Sequence, residues 1–265
     1  MATRALTTAA SGMYAQQLSV EIISNNIANM NTTGFKKNKA EFQDLMYQEV
    51  PLQTVSSGTP GTTSASSNNV QIGNGVQPTS TQKIHKQGDI IPTNNQFDLA
   101  IQGDGFFQVR KPDGSYAYTR DGSFKVNSEG SLVTSGGYLL DPEISLTDTT
   151  LNVSISRDGV VQVHENDGTS YILGEIQLVK FMNPGGLKSL GSNLYQETEV
   201  SGSPLLGTPD SNGFGEIDQG FLESSNVDIV EEMIAMITAQ RAYEINSKTV
   251  KTVEEMMTMA NNLKR

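Results

Sequence analysis

The chain has 265 residues, with 18 Lys+Arg against 29 Asp+Glu and neither Cys nor Trp; that is room for one large domain or two modest ones, and it excludes a disulfide-held miniature. Without thiols there is no Cys nucleophile, thiolate-bound zinc or iron–sulfur site, and two His, His85 and His164, are too few for a multi-His metal centre. A formal charge of −11 argues against broad nucleic-acid binding, and 36% hydrophobic residues is low for a soluble domain.

Gly and Pro divide the chain. All nine Pro lie between Pro51 and Pro209, and of 25 Gly only Gly12 and Gly34 fall outside the span from Gly58 to Gly220. Two Pro-free ends, expected to be helical, therefore flank a turn-rich middle. The negative charge sits in the middle as well: residues 1–40 carry a net +3 and 226–265 a net −1, leaving −13 between them.

The N-terminal end lacks the basic cluster and apolar run of a secretory signal, and no stretch approaches 18 apolar residues, so neither a cleaved signal nor a membrane span is expected. Leu6, Met13, Val20 and Ile27 recur every seven residues, with Ile23 and Met30 at d-like positions and Gln16 as an interruption. Thr3 is a candidate N-cap, and the run from Asn29 to Gly34 is a stop signal. Residues 1–45 are thus expected to form an N-terminal helical segment. Residues 46–82 are rich in Ser, Thr, Gly, Asn and Gln, which predicts an extended, linker-like segment that cannot offset its ordering entropy by burial.

From 83 to 224 the pattern becomes short alternating strands. Asp-Gly pairs beginning at Asp104, Asp113, Asp121, Asp158 and Asp167 are read as hairpin signals, so this stretch is expected to be all-β. In residues 225–265, Met236, Tyr243, Val250 and Met257 are spaced by seven, with Val253 at a d position and a polar Asn246. The expected fold is α+β, with paired, coiled-coil-like N- and C-terminal helices and an inserted all-β domain. Heptad stripes do not bury themselves; they pair within the chain, between subunits, or both.

A search for chemistry finds little. None of the Asp-Gly pairs has the neighbourhood of an EF-hand, and the run from Gly103 to Gln108 lacks the last Gly of a dinucleotide fingerprint. The cluster Lys36, Lys37 and Lys39 is read as a solvated helix end or as a contact with a neighbouring subunit's acidic middle.

Three long motifs carry more. Residues 24–37 read Ser-Asn-Asn-Ile-Ala-Asn-Met-Asn-Thr-Thr-Gly-Phe-Lys-Lys; residues 103–109 read Gly-Asp-Gly-Phe-Phe-Gln-Val, followed by Tyr-Thr-Arg-Asp-Gly-Ser-Phe at 118–124; residues 219–228 read Gln-Gly-Phe-Leu-Glu-Ser-Ser-Asn-Val-Asp and run into Ala239–Lys248. In this order they resemble the bacterial flagellar rod and hook proteins, most closely the distal-rod branch, with a proximal rod or short hook-type subunit as the alternative. A secreted carbohydrate-binding β protein is a remote reading that the absence of Trp weakens. The matching signature residues are Asn25, Asn26, Asn29, Thr32, Gly34, Phe35, Gly103, Gly105, Phe106, Phe107, Asn226, Gln240, Arg241 and Tyr243.

The resemblance implies a non-enzymatic homopolymer without cofactor, metal, small-molecule substrate or nucleic acid. Such a subunit is exported by the flagellar type III apparatus without signal cleavage. It builds a hollow, torque-transmitting tube in the periplasm-spanning basal-body rod, next to other rod and hook proteins and the basal-body rings. On this reading the heptad positions pack helices and subunits, and the polar segment around 48–81 orders between subunits and stiffens the tube.

Overall fold

The computed structural model describes residues 2–51, 69–147, 150–165 and 169–263. They form two compact units. The first holds the described residues of 1–25, 39–81 and 230–265, and the second those of 26–38 and 82–229.

The first unit is mainly helical. Helix α1, Ala2–Ala28, contains a single Gly and no Pro and stops where the Asn-rich run begins. Thr3 lies inside it rather than capping it. Helix α2, Ile229–Asn262, has neither Gly nor Pro, and Glu231 and Glu232 in its first turn complement the positive end of the helix dipole. Thr238, Thr249, Thr252 and Thr258 each donate their hydroxyl to the carbonyl four residues back, which satisfies them without breaking the helix. The polar Asn246 of α2 lies against the one Gly of α1: a Cβ on Gly12 would come 2.8 Å from Asn246 Nδ2.

The flanks of the polar segment are strands. Asn38–Asp44 pairs with Val76–Lys83, and Gln48–Pro51 runs antiparallel to Asn69–Ile72. Polar composition hid this ribbon, because two-stranded pairing needs backbone rather than apolar side chains. Residues 52–68, the low-complexity part of the linker-like segment, lie outside the described residues. Gly75, at φ +114°, sits against α1, where Ser11 Oγ accepts the Val76 amide at 3.3 Å.

The second unit is β-rich, so the chain as a whole is α+β. Its largest sheet places Phe106–Arg110 centrally, between Tyr116–Thr119 and Leu139–Asp141, with Leu178–Lys180 also pairing to it. A three-stranded antiparallel sheet is formed by Thr150–Ile155, Val160–Glu165 and Ser170–Glu175. Strand periodicity sends Phe106 and Phe107 to opposite faces and into two cores. Phe107 joins Leu99, Ile101, Phe124, Leu140 and Leu178, and meets Phe124 edge to face at 5.1 Å. Phe106 packs with Tyr118, Val179, Phe181, Leu187 and Tyr195.

Of the Asp-Gly signals, Asp113 and Asp158 sit in hairpin turns, with Gly114 and Gly159 at φ of 81° and 82°. Asp104 and Asp121 do not. The strand before Asp104, Leu99–Gln102, pairs instead with Glu216–Gln219, and the strands either side of Asp121 have different partners. Asp167 lies outside the described residues. His164 is exposed on the Val160–Glu165 strand.

Phe107 is fully buried. Phe107→Ala is expected to cost roughly 3–5 kcal/mol through lost burial and the cavity left behind, measured by chemical denaturation; a loss under about 1 kcal/mol would place the main core elsewhere.

Candidate functional site

The three sequence motifs meet at one carboxylate. Glu223, only 1% exposed at the end of the Phe221–Glu223 strand, binds Lys36 Nζ through Oε1 at 2.6 Å and Arg120 Nε through Oε2 at 2.5 Å. Its Oε1 also accepts the Gly88 amide at 2.8 Å. Lys36 donates in addition to the Lys86 carbonyl at 2.8 Å. Arg120 spends three more donors on the carbonyls of Ile101, Gly103 and Gly105, tying the Gly103–Gly105 turn to the cluster. Burial alone would raise the Glu223 pKa, yet the two cations beside it hold it below the usual carboxylate value. Burial lowers that of Lys36, with Glu223 pulling the other way.

Backbone pairing repeats the junction. The Gly34 amide donates to the Glu223 carbonyl at 2.8 Å. Gly34 is required: it is buried at φ +67°, and a Cβ there would come 2.9 Å from the Arg120 and Asp121 backbone. Asn226 Oδ1 accepts the Lys37 amide at 2.8 Å, and its Nδ2 donates to the carbonyls of Ile84 at 2.8 Å and Lys86 at 3.0 Å. Asn26 clasps the same turn through two bonds of 2.9 Å to Asn38. Thr32 Oγ1 reaches Asn29 Oδ1 at 3.2 Å. Phe35 lies under Lys83 Nζ, 5.1 Å from the ring centroid.

His85 stands beside this cluster, edge to face with Phe106 at 5.6 Å and Tyr195 at 5.5 Å. Its ring nitrogens are shut from solvent and have no partner of normal hydrogen-bond geometry. Burial first, then the charges of Lys36, Lys83 and Arg120, push its pKa down to about 4, with the Pro184 backbone pulling weakly upward. Burial also pushes the Tyr195 phenol up to about 12.

Lys36 departs from the sequence expectation. It is neither solvated nor offered to a neighbouring subunit, because it is buried inside its own unit against Glu223; of the three lysines only Lys39 is exposed. Arg120 and Glu223 stood inside the quoted motifs without a role assigned to them. The available signal was a lone acidic residue in an apolar strand end.

The heptad residues fall on partly covered helix faces. In α1, Leu6, Met13, Val20, Ile23 and Ile27 are half-buried, as is Met30 just beyond the helix; in α2, Met236, Val250 and Met257 are half-buried and Val253 is buried. Tyr243, Gln240, Arg241 and Asn25 are exposed, and Asn26 is buried. On the opposite side α2 exposes a short apolar stripe, Val230, Met233, Ile234 and Ile237, at three- and four-residue spacing, and a second at its end, Met256, Met259 and Leu263, all between 50% and 87% exposed; Arg241, Glu244, Lys248, Thr252 and Glu255 lie between them.

Comparison with known proteins adds the following. Residues 6–36 match the family described as flagella basal body rod protein, residues 100–163 the flagellar hook protein FlgE/F/G D1 domain, and residues 218–263 the flagellar basal body rod FlgEFG protein C-terminal. The flagellar basal-body rod protein FlgG of Borreliella burgdorferi is 50% identical over 99% of both chains. That of Buchnera aphidicola subsp. Acyrthosiphon pisum is 47% identical over 95% of this chain and 96% of its own, and that of Bacillus subtilis 38% over 99% of both. The crystal structure of Helicobacter pylori flagellar hook protein FlgE2 aligns with 71% of this chain and 43% of its own, at 16% identity and a TM-score of 0.25.

Glu223→Ala leaves two buried cations uncompensated and is expected to destabilise the protein by roughly 3–5 kcal/mol, whereas Glu143→Ala, which breaks the exposed Arg110–Glu143 pair, costs about 0–1 kcal/mol. Equal denaturation midpoints for the two variants would contradict the assignment. His85, with its pKa depressed in the folded state from 6.5 to about 4, contributes stability that is complete above pH 6.5 and lost as pH falls toward 4. Glu223, depressed below the carboxylate value, adds its own loss only at lower pH. In chloride buffer the native chain is therefore expected to lose roughly 2–3 kcal/mol more than His85→Gln between pH 7 and pH 4.5; parallel urea-midpoint curves would show that His85 is not held neutral.

Proposed function

Because this chain belongs to the flagellar basal-body rod proteins and is a structural subunit of the distal rod, we propose that its two terminal helices are the polymerising element, paired with each other along their heptad faces and packed against other copies by the outer face of α2. The observation that carries this reading is the exposed apolar stripe Val230, Met233, Ile234 and Ile237 on the side of α2 opposite Ala239, with Met256, Met259 and Leu263 exposed near the helix end. A helix with apolar residues on its outer side as well as its inner one suits a position between neighbours on both sides. Heterologous contacts whose rotation does not close a ring give open-ended growth, the geometry of a tube.

On this reading the chain has no catalytic role. Its neighbours are further copies of itself, the adjoining rod and hook subunits and the basal-body rings, and it reaches its place through the flagellar type III export apparatus. The segment 46–82, whose described flanks form a ribbon against α1, adds stiffness between copies. A subunit whose helix seams are completed only in the tube couples its final ordering to assembly.

The test places a charge on each face. Ile234→Asp, on the exposed stripe, is expected to leave the monomer's stability within about 0.5 kcal/mol but to suppress tube formation, because assembly buries an unpaired carboxylate at a cost of several kcal/mol. Val250→Asp, on the half-buried face, weakens both folding and assembly. Sedimentation and negative-stain microscopy of the purified chain read the outcome; an unchanged assembly threshold for Ile234→Asp would remove the outer face of α2 from the contact.

A further inference from the structure

A cavity of about 230 Å³ lies within the second unit, with Lys36, His85, Gln87, Asp104, Arg120 and Lys180 among its lining residues. At about 30 Å³ per water in the liquid, it offers the space of several waters. It is smaller than the roughly 300–1,000 Å³ typical of sites for cofactor-sized ligands. Only something small fits.

Its walls are cationic in a chain of charge −11. Lys180 is matched by Asp104 at 3.0 Å. Lys36 and Arg120 share the single charge of Glu223, so that group keeps one positive charge over. Lys83, stacked on Phe35 and Tyr195, adds another beside His85. Lys36 Nζ directs two of its three N–H groups at protein acceptors and Arg120 four of its five, leaving each one donor. His85 contributes a ring whose nitrogens have no hydrogen bond of normal geometry, with only the Pro184 backbone interacting weakly.

We propose that this cavity binds a small tetrahedral oxyanion of the size and charge of inorganic phosphate or sulfate, held by Lys36, Arg120 and Lys180 with an imidazole N–H of His85 as a further donor. The site is independent of the polymerising faces and of the rod reading. A bound anion offsets the same positive neighbours, Lys36, Lys83 and Arg120, that keep His85 neutral, so anion binding and proton uptake at His85 are coupled and reciprocal.

The chain's two histidines make this directly measurable. Imidazole NMR resonances of the full-length, ¹⁵N-His-labelled protein are followed while potassium phosphate replaces chloride at constant ionic strength, with exposed His164 as the internal reference. The expected result is a saturable shift at His85 alone, with a Kd of order 1 mM, a rise in the His85 titration midpoint, and at least fivefold weaker binding in Lys180→Gln, a change outside the buried cluster. Sulfate should compete. Linear movement of both histidines would reduce the effect to general ionic strength and overturn the proposal, as would equal saturation by acetate. A His85 shift that grows with protein concentration in chloride alone would assign the cavity to a carboxylate of a second copy, and would equally overturn the free-anion reading.

Discussion

The second unit depends on one buried carboxylate being held between two cations that come from distant parts of the chain. Lys36 is 187 residues from Glu223 and Arg120 is 103 away. Removing three charges from water is costly, and mutual attraction offsets that cost only when geometry is close and the remaining donors are satisfied. Here they nearly are: the Lys86, Ile101, Gly103 and Gly105 carbonyls and the Gly88 amide close the shell around the ions. The gain is register. A hydrophobic replacement could hold these strands together, but it would not require the turn after α1, the Gly103–Gly105 turn and the Phe221–Glu223 strand to meet in one arrangement. Gly34 shows how little room is left, since its amide bonds the Glu223 carbonyl while its α-carbon faces the Arg120 backbone.

The two units solve the burial problem differently. The β-rich unit has its own cores, separated by the alternation of Phe106 and Phe107 and of Leu178 and Val179. Among the described residues, the helical unit has buried Ala9, Ala15, Ala239 and Val253 but no comparable aromatic core, and α2 leaves apolar stripes exposed at its two ends. The low hydrophobic content of the whole chain is thus unevenly distributed. On the proposed reading, a subunit that joins a polymer leaves its helices to be covered by other copies, while its β unit is held by its own packing and by a fixed ionic junction.

Much of this was written in the sequence, and the parts that were not share a reason. Heptad spacing and the absence of Pro foretold α1 and α2, and the Asn-rich stop foretold where α1 ends, because those signals are local. The turns at Asp113 and Asp158 are hairpins for the same reason. Asp104 and Asp121 misled because the strands flanking them pair with segments far along the chain, which no dipeptide records. The Gln48–Pro51 ribbon went unseen because its strands are short and lie within a polar stretch with no alternation to mark them. Lys36 was misjudged for a related cause: burial of a charge depends on its partner, and the partner lies near the other end of the chain. The motif residues Arg120 and Glu223 could be quoted in order, but their contact appears only in three dimensions.

The central claim, that the Glu223 junction is part of the cooperative fold rather than a local clasp, is tested most directly by native-state hydrogen exchange at two amides, Gly34, bonded to the Glu223 carbonyl, and Gly88, bonded to its carboxylate. If the junction sets the register of the unit, both amides exchange only through global unfolding, with the same free energy and denaturant dependence as the core amides of Val109 and Val179. Exchange of Gly34 and Gly88 through small, denaturant-independent openings, while the core stays protected, would show that the strands hold their arrangement without the ion cluster and would contradict the account.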